Sequence, residues 1–428
     1  MLASSSYARK MQYRSKRKHD PTTITDIFDG TQYRSLLETF ITIGDEELPT
    51  WYFSDPRDIA LGLSSDGFGP FKHHTKTAWP IILFNYNLPP EERFLKRNII
   101  RIGVIPGPKK PGDFDSFLWP LVQELLQLEI GVPAFDAITK TLFLLHAYLI
   151  AVFGDIPAVS MIMRMKGHNA IFPCRMCTIK GVRIPSSRVT THYVPLCRDG
   201  FPDSQEQYDP SALPLRNHAS FMEQAKEVQY ASSNTDSESL ATKYGIKGLP
   251  LLSTLSSLSF PMSFPYDFMH LIWTNLIPNL ILFWTGKFKD IPHHDEGYVL
   301  APTVWEAIGE ATANAGKTIP AAFGSRVPNI ASEKAQMIAE THSIWTLYIA
   351  PTLLKGRFVR PRYYKHFMEL VRLLTLCLKF EITQDQVNGL ERGFQSWVQK
   401  YERYVLLVAS RIPSDRLTVY ITNTIHCA

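Results

Sequence analysis

The apolar positions of this chain change rhythm along its length. In the first third they fall in short runs bounded by turn residues, the pattern of strands, and in the last third they recur at helical spacing. DIALGLSSDG (58–67) is a short strand-like run that ends at Asp66 and Gly67. TAWPIILFNYNLP (77–89) predicts a second strand closed by a proline turn, and NIIRIGVIPGPKKPGD (98–113) a third, closed by a proline and glycine cluster. In SFLWPLVQELLQLEIG (116–131), Leu118, Leu121, Leu125 and Leu126 share one face, which predicts a helix that Gly131 stops. A further apolar segment then runs through HAYLIAVFGD (146–155).

Upstream of these runs, residues 20–45 read as a short opening module with a turn at Asp29 and Gly30 followed by a helix. Downstream, Pro157 suits the first turn of a helix, where its missing N–H costs nothing, and that helix runs AVSMIMRM to Gly167. Residues 168–245 are irregular and polar, NTDSESLATK (234–243) included, and predict an insertion that is loop-rich or partly disordered. Residues 246–266 look like a packed return. The remainder is mostly helical, with amphipathic segments at 332–354, 363–380 and 387–406.

Strand, strand, strand, helix, strand is the opening order of a ribonuclease-H-like sheet. Three successive strands pair antiparallel, and the helix crosses over to set the fourth beside the first. The expected architecture is therefore α/β. A basic N-terminal tail and opening module (1–50) precede a ribonuclease-H-like mixed-sheet core (51–167). An inserted region with a CxxC (168–245) follows, then a return to the core and a mainly helical C-terminal part (246–428).

Composition permits this reading. With 428 residues, 45% of them hydrophobic, the chain has material for a large core and two domains. TLFLLHAYLIAVF (141–153) is too short to cross a bilayer and contains His146. FMHLIWTNLIPNLILFW (268–284) is interrupted by His270, Asn275, Pro278 and Asn279. Both read as buried elements. The net charge of +5 mildly favours polyanionic partners. RKMQYRSKRK (9–18) holds six Lys or Arg and reads as a solvated tail, a nuclear address or a phosphate-contacting arm. The chain does not open with a secretory signal, so its five cysteines suggest a reduced compartment and one metal site rather than a disulfide scaffold.

Two carboxylates carry the main chemical expectation. In the sheet order above, Asp66 ends the first strand and Asp155 the fourth, so their ends are neighbours. Carboxylates held close repel unless a cation lies between them, and hard oxygen ligands suit Mg²⁺ or Mn²⁺. Taken singly, Asp66 is a turn residue and Asp155 a helix cap before Pro157. A third acid from a helix would complete a metal set. Glu306, Glu310, Glu333 and Glu340 lie on predicted helices, Glu333 in a first turn and Glu340 beside the apolar WTLYIA. Cys174 and Cys177 have zinc-knuckle spacing; two further ligands are required, and His168, His192, Cys197, His218 and His270 are the candidates. The alternative is a pair of loop thiols. Asp267 and His270 stand one helical turn apart. Lys72, Lys76, Arg164 and Lys166 are available to meet phosphates or to remain solvated.

DGFGPFKHHTKTAWPIILFNYNLPPEERF, LHAYLIAVFGDIPAVSMIMRMKGHNAIFPCRMC and LSFPMSFPYDFMHLIWTNLIPNLILFWTGKF resemble the Tnp2 family, transposases of CACTA-type (En/Spm-like) elements in fungal style. The resemblance runs over roughly 20–426 and includes IWTLYIAPTLLKGRF and NTIHCA. It implies a DDE enzyme with a ribonuclease-H-like core that uses Mg²⁺ to cut element ends and join them to target DNA in the nucleus, as a self-associating assembly. The family's first acid falls on Asp66, its second on Asp155, its CxxC on Cys174 and Cys177, and its methionine–histidine step on Met269 and His270. The third acid has no certain match; Glu340 is preferred over Glu333. The zinc ligands that follow are Cys174, Cys177 and His270, with Cys197 and His192 as weaker candidates. Relatives carry more sequence at both ends, so the chain is expected to be truncated, and a degraded or inactive enzyme stands beside the active one. The alternative is a non-catalytic DNA-binding or protein-interaction remnant of a transposase.

Overall fold

A computed structural model describes residues 4–69, 77–107, 111–182, 194–196, 198, 207–288 and 297–406. The chain divides into two units, Met1–His168 with Leu215–Tyr266, and Asn169–Pro214 with Asp267–Ala428.

The first unit is built on a four-stranded sheet. Its strands are β1 (Ile59–Ser65), β2 (Ala78–Asn85), β3 (Ile100–Pro106) and, after the helix α1 (Asp115–Ile130), β4 (Ala147–Phe153). The spatial order is β3-β2-β1-β4. β1, β2 and β3 pair antiparallel, and β4 lies parallel beside β1. A parallel neighbour requires a crossover, and α1 supplies it with a buried face of Leu118, Leu121, Val122 and Leu125. That face shares one core with Ile59, Leu61, Leu63, Leu149 and Val152. Ala60, Tyr148, Ile150 and Ala151 turn to a second core with Phe28, Tyr33, Ile41 and Tyr52. The inner strands β1 and β4 are thus covered on both faces, which is why they read as continuous apolar runs rather than alternating ones.

The apolar run 141–153 is not one segment. Thr141–Leu145 pairs antiparallel with Val132–Asp136 as a hairpin. His146 separates that hairpin from β4 and donates from its Nδ1 to Asp58 Oδ1 at 3.2 Å. The outer edge of β4 is covered by residues 246–266. Val152 N–H donates to Ser263 O at 2.8 Å, and Ser257 Oγ donates to Leu149 O at 2.8 Å. Leu252, Leu255, Leu258, Phe260 and Phe264 seat this return in the α1 core.

Two expectations change. The basic run 9–18 is docked, not a tail. Ser5–Met11 is helical and buries Ala8 and Met11. Arg14, 8% exposed, donates to Asp58 O, Asp55 O and Tyr33 Oη. Lys10 pairs with Glu92 at 2.6 Å, and Arg17 pairs with Asp29. Burial opposes ionisation of Asp29, but the Arg17 guanidinium, Thr25 N–H and His19 together hold its carboxyl well below the usual range. The polar stretch within 215–245 is helical as well. His218–Gln229 is capped by Asn217, and Asn234–Tyr244 is capped by Ser233 and closed by left-handed Gly245. Sparse apolar residues suffice there because Phe221 and Ala225 reach the main core.

The second unit is mainly helical among its described residues. A π-helical stretch, Met269–Leu276, leads into Ile277–Trp284, and Pro302–Ala315, Ala339–Ile344, Pro361–Cys377 and Gln384–Tyr401 follow. Trp345, Trp397, Tyr401, Phe283 and Phe367 are fully buried. His366 stacks on Trp397 at 4.5 Å and shares a hydrogen bond with its carbonyl at 2.9 Å. Burial pushes this imidazole down to about 4, so it is neutral at pH 7. No helix among the described residues is long and apolar enough to cross a membrane.

One buried acid sits badly in the first unit. Glu129 falls on the same face of α1 as Leu118, Leu121, Val122 and Leu125 and is 1% exposed. Its Oε1 accepts Ser257 Oγ at 3.2 Å, and its Oε2 has no hydrogen-bond partner. Burial pushes its pKa from 4.5 up to about 7. The folded chain therefore holds a proton that the unfolded chain releases, and stability present below about pH 4.5 is lost as the pH rises through 7. Between pH 5 and 8 this costs the wild-type protein about 2–3 kcal/mol that Glu129→Gln does not lose. Urea denaturation of both proteins at the two pH values checks this, and parallel losses would place the pH dependence elsewhere.

Candidate metal centre at two parallel strand ends

β1 and β4 pair in two registers. Ile59 and Leu61 stand opposite Ala147 and Leu149, whereas Gly62 and Ser64 stand opposite Ala151 and Phe153. Ile150 is the extra residue of a bulge, and the register beyond it is advanced by one. Continued two residues further, the advanced register sets Ser65 opposite Gly154 and Asp66 opposite Asp155. The backbones are in contact here. A Cβ at Gly154 would lie 2.5 Å from Ser65 O, so only glycine allows this approach. Paired strands run about 4.8 Å apart, so the two aspartates leave the sheet as neighbours.

Asp66 owes its position to β2. The antiparallel register places Ser65 opposite Ile81, and the bridge of Phe68 with Ala78 continues it, so Asp66 faces Pro80. Phe68 and Ala78 exchange both ladder hydrogen bonds, at 3.0 and 2.9 Å, which makes Asp66 and Pro80 the next hydrogen-bonding position. Pro80 has no N–H to give, and the ladder breaks there. Gly67 lies over Trp79, with a Cβ position 2.5 Å from the indole. Asp66 is half-buried.

Asp155 caps the helix α2 (Ile156–Ile162). Its Oδ1 accepts Ala158 N–H at 2.6 Å, and Pro157 occupies the first turn. The cap orients the carboxylate and uses one of its oxygens. The side chain is half-buried.

Residues 45–197 match the model of the transposase family tnp2.

The tnp2 match supports a transposase family for this chain and spans Asp66, Asp155 and both CxxC cysteines. It stops before the candidate glutamates. No curated protein matches the chain.

Both preferred third acids lie in the second unit and serve local loops. Glu340 is in the first turn of Ala339–Ile344, and its two oxygens accept Ser325 N–H and Ser325 Oγ, each at 2.9 Å. Glu333 is not in a helical first turn as expected. It precedes the short 3₁₀ turn Lys334–Gln336 and accepts Asn329 N–H at 2.8 Å. Glu306 and Glu310 are exposed on Pro302–Ala315.

At the CxxC, Cys174 Sγ accepts the N–H groups of Met176 and Cys177, both at 3.2 Å. Cys174 is disulfide-bonded, and Cys177 is buried. No group of three or more metal-ligating side chains forms among the described residues. His270 Nδ1 lies 3.0 Å from Asp267 Oδ2, and Asp267 caps the start of that helix through Met269 N–H. His218 Nδ1 accepts Phe260 N–H at 3.0 Å, which ties that ring to the core. Cys197, His192, Lys72, Lys76 and the segment 423–428 lie outside the described residues. Arg164 faces Asp115 at 3.8 Å, and Lys166 pairs with Glu238 at 3.2 Å. Glu129 escaped notice in the sequence, although its helical spacing from Leu118, Leu121, Val122 and Leu125 marks a core position.

The cap separates two roles of Asp155. Asparagine caps as well as aspartate, whereas alanine does not. Asp155→Ala should cost about 1 kcal/mol of stability and Asp155→Asn a few tenths at most. Thermal melts of the two variants check this; equal losses would mean that the cap is not what the carboxylate provides.

Proposed function

We propose that this chain is a DDE-type DNA transposase core, performing metal-dependent strand cleavage and strand transfer at transposon ends. The single observation that carries the reading is the parallel register of β1 and β4, which, continued past Ser64 and Phe153, sets Asp66 beside Asp155. The sheet order β3-β2-β1-β4 with a helical crossover supports a ribonuclease-H-like core, and the tnp2 match supports a transposase. DNA is then the partner, the nucleus the place of action, and self-association the expected assembly.

The donors suit a hard divalent cation, since both are carboxylates and Asp155 is oriented by the Ala158 N–H. Mg²⁺ or Mn²⁺ bound there would supply the charge that activates a water or a 3′-hydroxyl and eases departure of the leaving oxygen. The chain's own contribution is to hold two carboxylates at a fixed separation through the bulged strand pair, so that little reorganisation is needed. Glu340, or Glu333, is the third acid of this reading. The CxxC turn, once reduced, is assigned a structural zinc with His270, Cys197 or His192 among the remaining ligands, on the zinc-knuckle spacing of Cys174 and Cys177.

A second reading is a non-catalytic DNA-binding or interaction remnant. The observation that favours it is the engagement of both glutamates by nearby loop groups.

Nicking of a duplex carrying element ends, with Mg²⁺ or Mn²⁺, decides between the two. Asp66→Asn and Asp155→Asn should each lower nicking by at least the roughly 10–100-fold that loss of even an outer-shell metal partner costs. Glu340→Gln and Glu333→Gln identify the third acid by the same loss. Wild-type nicking that survives in both aspartate variants would sink the catalytic assignment. Zinc content of the reduced protein, with Cys174→Ser beside it, tests the second metal: about one zinc per chain is expected in the wild type and none in the variant.

A further inference from the structure

Three of the six cations of the basic run 9–18, Lys10, Arg14 and Arg17, are matched inside the first unit. The second unit holds a basic segment of opposite character. No acidic residue occurs from Thr341 to Met368, and within that span Lys355, Arg357, Arg360, Arg362 and Lys365 fall in eleven residues. All five are exposed. None forms an ion pair with a described residue, in contrast to Lys10, Arg17, Arg57 and Arg93 of the first unit.

The segment is a built surface and not a loose tail. Leu354, Phe358 and Tyr363 are 0%, 7% and 5% exposed and pin it to the helical core between the cations. Arg357 N–H donates to Leu354 O at 3.1 Å, and Gly356 takes a left-handed φ of 70° to close that turn. Arg360 precedes the long helix Pro361–Cys377, whose first turn has no side-chain cap. Arg362 lies over the rings of Tyr363 and Tyr404 at 4.8 and 5.1 Å, and it donates to Tyr363 Oη at 2.7 Å. Stacking of this kind fixes a guanidinium while its other edge stays available for an anion. Like charges gathered without a counter-charge repel one another and weaken the fold unless a polyanion neutralises them.

We propose that Lys355–Lys365 is a contact surface of the second unit for the phosphate backbone of duplex DNA. Arginines offer bidentate donors matched to phosphate, and three of the five cations are arginine. Successive cations are two or three residues apart, so a run of phosphates meets them in turn. A membrane surface is a poorer fit, because Phe358 and Tyr363 between the cations are buried and the exposed apolar residues there are Val359, 80% exposed, and the small Pro361. The choice of DNA over another polyanion rests on the transposase reading; the surface itself rests on charge and exposure.

The test is equilibrium binding of the full chain to a random-sequence duplex in EDTA, over a range of salt concentrations. Absence of divalent cations keeps binding separate from nicking, so the surface stands or falls independently of the strand-end aspartates. The wild-type salt slope should fall by about 2–3 in Arg357→Gln/Arg360→Gln/Lys365→Gln, with at least a tenfold loss of affinity near 0.1 M salt. A charge-matched control, Lys317→Gln/Lys379→Gln/Arg392→Gln, should keep most of both. The far-ultraviolet dichroism of each variant is compared with wild type, and single Arg357→Gln, with an expected slope change of about 1, replaces the triple variant if that does not fold. Unchanged slope and affinity in the folded variants would overturn the proposal. So would binding to phosphatidylserine vesicles that is lost in the same variants while duplex binding persists.

Discussion

The candidate centre depends on one interaction, the parallel pairing of Ile59–Ser65 with Ala147–Phe153. Parallel neighbours cannot be joined by a tight turn, so the pairing needs the long excursion through α1 and the hairpin. It is stabilised where it is vulnerable. The outer edge of the second strand gives its Val152 N–H to Ser263 and receives Ser257 at Leu149 O, so the edge is satisfied within the unit. At the other end, buried Asp58 meets His146, and Arg14 donates to the Asp58 carbonyl. The asymmetry is useful. One end of the pair is tied by an ionic and hydrogen-bonded network, and the other ends at Asp66 and Asp155.

That arrangement also explains the unit's use of charge. Hydrophobic burial dominates its stability, yet the first unit places several charged groups at or below the surface. Arg14, Asp29, Asp58, Arg93 and Glu129 are all 9% exposed or less. Four of them have polar partners that offset their desolvation, such as Arg93 with Asp26 at 2.8 Å and with the Leu88 carbonyl at 2.7 Å. Glu129 lacks a partner at one oxygen and responds by holding its proton. Lys10, Arg14 and Arg17 of the N-terminal run belong to this internal system, which is why a run that looks like a free basic arm is docked.

Much of the sheet was legible because its signals are local. Gly131 after the Leu118–Leu125 face and proline turns after the apolar runs mark element ends by chemistry that acts over a few residues. The hairpin within 132–145 was hidden, because an apolar strand and the strand after it are continuous in hydropathy and only His146 divides them. The helix Asn234–Tyr244 was hidden for the opposite reason: it is polar, and its caps at Ser233 and Gly245 are weaker signals than a missing apolar stripe. The third acid remained illegible. An exposed glutamate on a helix looks alike whether it faces a site or, as Glu340 does, holds a Ser325 loop.

By itself the sequence determined where the four strands of the main sheet lie, which helix joins them, and that an aspartate follows each of two strands. These follow from periodicity and turn chemistry within short windows. Only the tertiary structure decided the register that, continued past Ser64 and Phe153, sets Asp66 opposite Asp155 and not opposite Gly154. The bulge at Ile150 advances the register by one, and Gly154 lets the backbones close to contact. Register is a property of two strands together, set by how both pack their faces into the cores, and no window of either strand contains it.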